Sequence, residues 1–405
     1  MSMDWIIRPS SLNGSLTLPP SKSHTLRALL FASLAEGACQ LENLLESPDV
    51  DAMERCLKER GGDVGNSGIT LRFLTALLAH QKEPVTLTGD ASIRTRRTLA
   101  PLLAALGKLG VKAQSHQGFA PVTMQGPLQA GRTEVEGYDS QFVSALLIAC
   151  SLSEGPTEIV VHNAGEHPWI DLTLSWLDRV GLSYERKGYE WFRLPGAGKV
   201  RPFQYCVPGD LSGLAFPIVA ALATRSTVKI EGVDLSDPQG DKEIVAILRA
   251  MGAEFSSTDS CLTVHPSKLK GQTFDLNACI DAVPAMAVAA CFAEGVTTFT
   301  GISGARYKEC DRLACSVREL SQMGAHIQET EDGLRIVGSP LRGAEVSSHQ
   351  DHRMAMALAV AAMGAEGESV VTDTACVHKT FPKFAEKFQS IGATLCVFSS
   401  TVCPV

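Results

Sequence analysis

The feature that most constrains this chain is a glycine that returns at a fixed spacing. Five amphipathic segments, A-A-L-G-K-L-G-V-K-A, S-W-L-D-R-V-G-L-S-Y, A-I-L-R-A-M-G-A-E-F, E-L-S-Q-M-G-A-H-I and F-Q-S-I-G-A-T-L, each run through a glycine into a strand-like stretch. The glycines are Gly110, Gly181, Gly252, Gly324 and Gly392, separated by 71, 71, 72 and 68 residues. Glycine suits the left-handed position that ends a helix. A second kind of segment alternates with the first: apolar runs, often closed by Glu-Gly, begin at Ala28, Ala145, Met286 and Met356, with weaker copies at Phe73 and Ala215. A sixth amphipathic copy, M-E-R-C-L-K-E-R-G-G, ends at Gly62, only 48 residues before Gly110. Six helix-strand-helix-strand units are therefore expected, the first shortened by the loss of its strands. Repeats of this length are large enough to group into globular domains and do not form a short-repeat solenoid.

With 405 residues, 45% of them hydrophobic, the chain exceeds what one core usually supports, so two domains of three units each are expected. The net charge of −8, with no basic tail, argues against nucleic acid or an anionic membrane as a partner. The start M-S-M-D-W-I-I-R-P lacks the layout of a secretory signal, and no apolar run reaches the ~18 residues of a membrane span. A soluble, cytoplasmic protein is expected. Most of the twelve cysteines, such as Cys39, Cys56, Cys150, Cys279 and Cys291, sit singly in apolar runs without a C-x-x-C pair. They read as reduced core thiols, with no metal site.

Chemistry must then lie where polar residues interrupt the apolar runs. Cations recur just after turn residues, where helices should begin: Lys22, Ser23 and Arg27 in P-P-S-K-S-H-T-L-R, and Arg94, Arg96 and Arg97 in I-R-T-R-R-T-L. Asn66 and Gly68 open another helix in G-N-S-G-I-T-L-R-F. The second half repeats the theme with Lys308, Glu309, Asp311 and Arg312, then Asp351, His352 and Arg353, then Lys379. Helix N-termini attract anions, arginine forks match carboxylates and phosphates, and lysine adds a compact charge. In an acidic chain, this placement implies a ligand with several negative charges.

Eight motifs, S-K-S-x-x-x-R-A-L, N-x-G-x-x-x-R, R-x-R, S-Q-F-x-x-A-L, D-A-x-x-x-x-A-x-A-x-x-F-A-x-G, K-E-x-D-R-L, D-H-R-M-A-M and K-T-F-P, stand in the order found in the 5-enolpyruvylshikimate-3-phosphate synthases. From about Leu16 to Phe388 the chain resembles that family of enolpyruvyl transferases. The resemblance implies an α/β fold: a two-domain inside-out α/β barrel built from six βαβαββ repeats. It places one domain at residues 21–207 and the other at 1–20 with 208–405, with crossings near Pro20 and Pro208-Gly209-Asp210. Closure of the two domains on the ligands is implied as well.

The resemblance also implies the reaction: transfer of the enolpyruvyl group of phosphoenolpyruvate to the 5-hydroxyl of shikimate 3-phosphate, with release of phosphate, by a monomer that needs no cofactor or metal. Position by position, the phosphoenolpyruvate phosphate would meet Lys22, Arg96, Gln141 and the amide of Gly68, and its carboxylate Arg312, Arg353 and Lys379. Shikimate 3-phosphate would be held by Lys22, Ser23, Arg27, Ser140, Gln141, Asp281 and Lys308, with Ser23 and Arg27 on its carboxylate and Ser140 and Lys308 on its phosphate. Asp281 suits the base on the hydroxyl, and Glu309 or Lys22 the proton donor to C3. Glyphosate should occupy the phosphoenolpyruvate site, though Ile69 and Phe73 replace a common threonine and proline of that helix.

Three other readings stay in view. A UDP-N-acetylglucosamine enolpyruvyl transferase usually carries a cysteine or aspartate in the loop before the R-x-R-like arginine, but Gly89 to Arg96 reads G-D-A-S-I-R-T-R, without cysteine and with Asp90 too early. The others are a different acceptor and a non-catalytic binding protein on the same scaffold. Asp139, Glu166 with Trp169, and Gly304 depart from the family on the acceptor side. Asp139 and Glu166 are expected to turn away toward cations such as Lys308 or His167, leaving Ser140 to the phosphate.

Overall fold

The computed structural model describes residues 2–400, and the chain divides into two compact units, one running from Lys22 to Val207 and the other joining the segment up to Ser21 with the chain from Pro208 onward. Ser21 falls with the second of these because its N–H donates to Pro208 O at 2.8 Å and its Oγ to Gln239 Oε1 at 3.0 Å.

One repeat shows how the local sequence builds the unit. Strand Gly131–Glu136 leads into helix Ser140–Ser151, strand Thr157–His162, helix His167–Val180 and the hairpin Glu185–Lys187 with Trp191–Leu194. The first two strands pair in parallel from Gly131↔Thr157 to Glu136↔His162, which requires a crossover, here the helix. Trp191–Leu194 then adds antiparallel to the second strand, and Glu185–Lys187 closes the edge. Thr157–His162 alternates buried and exposed positions, as a sheet with one face on the core must. The same strand order recurs in four further sheets of four strands.

The periodic glycines end the second helix of each repeat. Gly110, Gly181, Gly252, Gly324 and Gly392 all have positive φ, between 78° and 106°, so a β-carbon at any of them would be strained. The first repeat is shorter in a specific way. Its helices Lys22–Leu34 and Pro48–Glu59 are present, and strand Gln40–Glu42 pairs in parallel with Gln204–Cys206. Gly62 already opens the first strand of the next repeat, pairing with Leu87. The expectation that this repeat lost its strands is thus corrected: the parallel pair remains and the antiparallel hairpin is missing. In the other unit, the N-terminal strand Ser2–Ile7 completes the last repeat between Ser369–Thr372 and Leu395–Ser400, and Asn13–Thr17 pairs in parallel with Thr227–Glu231.

The six sheets stay separate. The first helices of the repeats form the core of each unit. Every residue of Val283–Cys291 and of Gly68–Leu78 is buried, as are twelve of the thirteen in both Leu211–Ala223 and His352–Gly364. This is why those runs carry no polar stripe in the sequence. Truncating one of their large residues, for example Leu146→Ala, should cost ~2–5 kcal/mol. Among the cysteines, Cys56, Cys150, Cys279 and Cys291 are buried thiols as expected, whereas Cys39 is only half-buried, because it lies in the loop before Gln40–Glu42.

Candidate active site

In both units several of the candidate side chains stand where helices begin, and the residue before each such helix explains the placement, whereas Arg96, Lys308 and Lys379 close short helices instead. Asp351 caps His352–Gly364 through Arg353 N–H at 2.7 Å, Asp311 caps Arg312–Gln322 through Leu313 and Ala314, and Asp139 caps Ser140–Ser151 through Gln141 at 3.0 Å. Ser67 caps Gly68–Leu78 through Thr70. Each cap fixes the first helical turn, and with it the side chain of the cation or amide that follows.

In the unit containing the C-terminal half, Arg312 is the hub. Its side chain is 1% exposed and donates to three carboxylates: Nε to Asp351 Oδ2 at 2.8 Å, Nη1 to Asp281 Oδ1 at 2.7 Å and Nη2 to Glu309 Oε2 at 2.9 Å. The other oxygen of Glu309 accepts from Lys379 Nζ at 2.7 Å, and the other oxygen of Asp281 lies 3.4 Å from Arg353 Nη2. Arg353 is further held by Ser212 O at 2.8 Å. Acids and cations therefore alternate along one chain of contacts, Arg353–Asp281–Arg312–Glu309–Lys379. Burial opposes the charge of Asp281, but Arg353, Arg312 and Lys308 outweigh it and hold the carboxyl well below the usual range. Burial likewise opposes the charge on Arg312, and Asp351, Asp281 and Glu309 reverse that effect. Lys308, 8% exposed, ends the turn Ser303–Tyr307 and contributes to the same field.

Behind this chain lies a group that sequence reasoning did not single out. Asp241 is fully buried, and neither carboxylate oxygen accepts a well-formed hydrogen bond, although Ser212 and Arg353 favour its charge. Burial, reinforced by the negative charge of Asp281, pushes its pKa up to about 7. Glu309, Asp351 and His352 bring metal-type ligand atoms within 4.8 Å of one another, but Arg312 and Lys379 already bind the two carboxylates, and we assign no metal there.

The Lys22–Val207 unit holds the other set. Lys22, the first residue of its helix, has its ammonium 3.1 Å from Asp49 Oδ2, whose side chain is 2% exposed. Gly68 is wedged against two guanidinium groups: a β-carbon there would lie 2.9 Å from Arg72 Nη1 and 3.5 Å from Arg97 Nε. Only glycine leaves its backbone open beside that much positive charge. Arg72 in turn donates to Gln141 Oε1 at 3.0 Å, pairs with Asp139 at 3.2 Å and lies over the Phe142 ring. Arg96 is half-buried at the end of the short helix Ala91–Thr95.

Arg27 is the least expected of the predicted residues. It is 2% exposed, with its guanidinium on Thr173 Oγ1 at 2.8 and 3.1 Å and on Ser23 O at 3.1 Å, and stacked 5.0 Å from the Phe73 ring. Burial without a carboxylate partner pulls its pKa down to about 9. A buried cation lacking its counter-charge is primed to take an anion. Ser23, one turn earlier, is half-buried.

On the acceptor side the expected pairing is corrected. Asp139 meets Arg72, and Glu166 accepts from Ser140 Oγ at 2.7 Å and Ser140 N at 3.3 Å. His167 instead sets its ring against Ala164 O and stacks on Tyr189 at 4.0 Å. Glu166 caps the next helix in a left-handed conformation, which turns its carboxylate onto the neighbouring helix start. Asp49, Arg72 and Asp241 were not assigned roles from the sequence. Of these only Arg72 carried a signal, the closing arginine of N-x-G-x-x-x-R.

The model of the EPSP synthase family, 3-phosphoshikimate 1-carboxyvinyltransferase, matches residues 6–64 and 59–388, breaking where the first repeat lacks its hairpin. The chain belongs to the EPSP synthase family. A 3-phosphoshikimate 1-carboxyvinyltransferase of Chlamydia caviae is 41% identical over 97% of this chain and 94% of that protein, and one of Acetivibrio thermocellus 39% identical over 96% and 98%. The solved EPSP synthase of Acinetobacter baumannii superposes with a TM-score of 0.81 at 26% identity, covering 98% of this chain and 100% of that one. The match spans 94–100% of each of these proteins, and the α/β repeat architecture is shared with the solved one.

Proposed function

We infer that this chain is an enzyme that transfers the enolpyruvyl group of phosphoenolpyruvate to the 5-hydroxyl of shikimate 3-phosphate and releases phosphate, a step of aromatic amino-acid biosynthesis. Within that reading, Lys22, the Gly68 amide, Arg96 and Gln141 take the phosphoenolpyruvate phosphate, and Arg312, Arg353 and Lys379 its carboxylate. Ser23 and Arg27 take the acceptor's carboxylate, and Ser140 and Lys308 face its phosphate. The observation that carries the chemistry is the alternating chain Arg353–Asp281–Arg312–Glu309–Lys379, which sets two acids of different surroundings among three cations.

Asp281 is ionised, 29% exposed at its side chain, and suited to accept a proton. The acceptor oxygen bonds to C2 of phosphoenolpyruvate, its proton passes to Asp281, and C3 takes a proton from Glu309 or Lys22. The resulting tetrahedral adduct then loses a proton from C3 and expels phosphate, restoring the double bond. A carboxyl held so far below its usual range is a weak base. When the substrate carboxylate engages Arg353 and Arg312, it offsets the charge that lowers Asp281, and the base strengthens as the reactants assemble. Such acid–base help is worth ~10²–10⁴ in rate.

Eleven described cysteines are unpaired thiols, which supports a reducing, cytoplasmic setting, and we propose a monomer. Asp281→Ala tests the base: turnover should fall by at least ~10² while phosphoenolpyruvate affinity changes little. Equal losses in both would place Asp281 on the donor instead.

A further inference from the structure

Two carboxylates meet at the start of helix Ser140–Ser151, and their roles differ. Asp139 is the cap of that helix and the counter-charge of Arg72, which is itself 2% exposed at its side chain. Glu166 stands at the cap position of helix His167–Val180, yet its side chain does not cap that helix. It holds the left-handed φ of 50°, unfavourable for a residue with a β-carbon, and spends both Ser140 donors, the N–H at 3.3 Å and the Oγ–H at 2.7 Å, on one of its oxygens. Glu166 is 3% exposed and Ser140 2%.

These are the donors that the functional reading above gives to the acceptor's phosphate, and the inference rests on that reading. An incoming phosphate needs the same N–H and O–H, and two anions cannot share them. We propose that Glu166 is an internal occupant of the acceptor-phosphate position, displaced when the acceptor binds, and that it sets how strongly this enzyme prefers a phosphorylated acceptor. Displacement is feasible because Arg72 keeps its pairing with Asp139 at 3.2 Å when Glu166 leaves. Gln141 is also kept in place, since its Oε1 accepts from Arg72 and its amide N–H groups remain to donate to a ligand. The carboxylate thus does for the empty site what the phosphate does for the filled one: it satisfies a buried serine and a helix N-terminus.

Binding of shikimate 3-phosphate and of shikimate, measured by titration calorimetry on wild type, Glu166→Gln and Glu166→Ser, tests this. Removing the charge should tighten shikimate 3-phosphate by at least about tenfold, since like charges at contact range repel by more than that factor. Shikimate, which brings no phosphate, should stay within about twofold, because tightening that exceeds this would not be specific to the phosphate. Glu166→Gln keeps the size and backbone demand of the original residue, so it carries the test if Glu166→Ser unfolds. Unchanged or weaker binding of shikimate 3-phosphate in Glu166→Gln overturns the inference. A wild-type protein that binds neither acceptor rejects the functional reading, and the inference with it.

Discussion

Replacing Arg312 by lysine keeps its charge and removes its shape. The guanidinium spreads three nitrogens over three carboxylates, at 2.8 Å to Asp351, 2.7 Å to Asp281 and 2.9 Å to Glu309, with a second contact to Asp351 at 3.4 Å. A lysine nitrogen is a single point and can keep close contact with one of the three, so two charge-assisted hydrogen bonds are lost, each worth ~1.5–3 kcal/mol. The Asp351 side chain is 0% exposed, so it cannot recover the difference from water. Residual attraction at that range returns part of the loss, and a net cost of ~3 kcal/mol follows, within the ~3–5 kcal/mol typical of breaking a buried pair. For a cooperative unit of about 200 residues this lowers Tm by ~6–12 °C. Scanning calorimetry and urea unfolding read the effect, and Arg312→Lys in an Asp351→Asn background should cost at least ~1 kcal/mol less, since the two changes share one interaction. A Tm within about 2 °C of wild type, or strict additivity in the double mutant, would refute the hub role.

Other consequences are narrower. Lys22→Met should abolish phosphate release at a modest cost in unfolding temperature, because Asp49, with a side chain 2% exposed, loses one of its partners; wild-type-like phosphate release would reject the assignment. Asp241 keeps its proton in the folded state up to about pH 7 and releases it near pH 4 when unfolded, so it costs stability progressively as pH rises through that window and levels off above it. Asp241→Asn should therefore gain in Tm relative to wild type as pH rises from 5 to 8, and a difference that stays constant over that range would show that the carboxyl is ionised throughout. Glyphosate should inhibit more weakly than in typical sensitive relatives, since Phe73 is fixed under Arg27 and Ile69 is buried beside Gly68; potent inhibition competitive with phosphoenolpyruvate would contradict this.

The period was legible in the sequence because one local conformation, the left-handed turn after Gly110, Gly181, Gly252, Gly324 and Gly392, leaves almost no choice of residue. The helix-start cations were legible for a similar reason, since capping is a short-range property. What could not be read were the partners. Lys22 finds Asp49 across 27 residues, Arg312 finds Asp351 across 39, and Glu166 reaches back 26 to Ser140. Those pairs are set by how separate helices pack, within one repeat for Lys22–Asp49 and Glu166–Ser140 and between repeats for Arg312–Asp351, and nothing local signals them. Arg27 looked like a cation on an early helical turn, and its burial depends on Thr173 and Phe73 from two other helices. The shortened first repeat was visible only as a missing length; which strands were lost emerged from the pairing of Gln40–Glu42 with Gln204–Cys206.

Joining of phosphoenolpyruvate to shikimate 3-phosphate through the acid–cation chain centred on Arg312 leaves a defined pair of products. It is tested most directly by following phosphate release from the two substrates together while identifying the organic product by mass. One phosphate should be released for each enolpyruvyl ether formed at the 5-oxygen, without added metal or cofactor, and none when either substrate is omitted. Phosphate released without the ether, or no turnover by folded protein that binds both substrates, would contradict it.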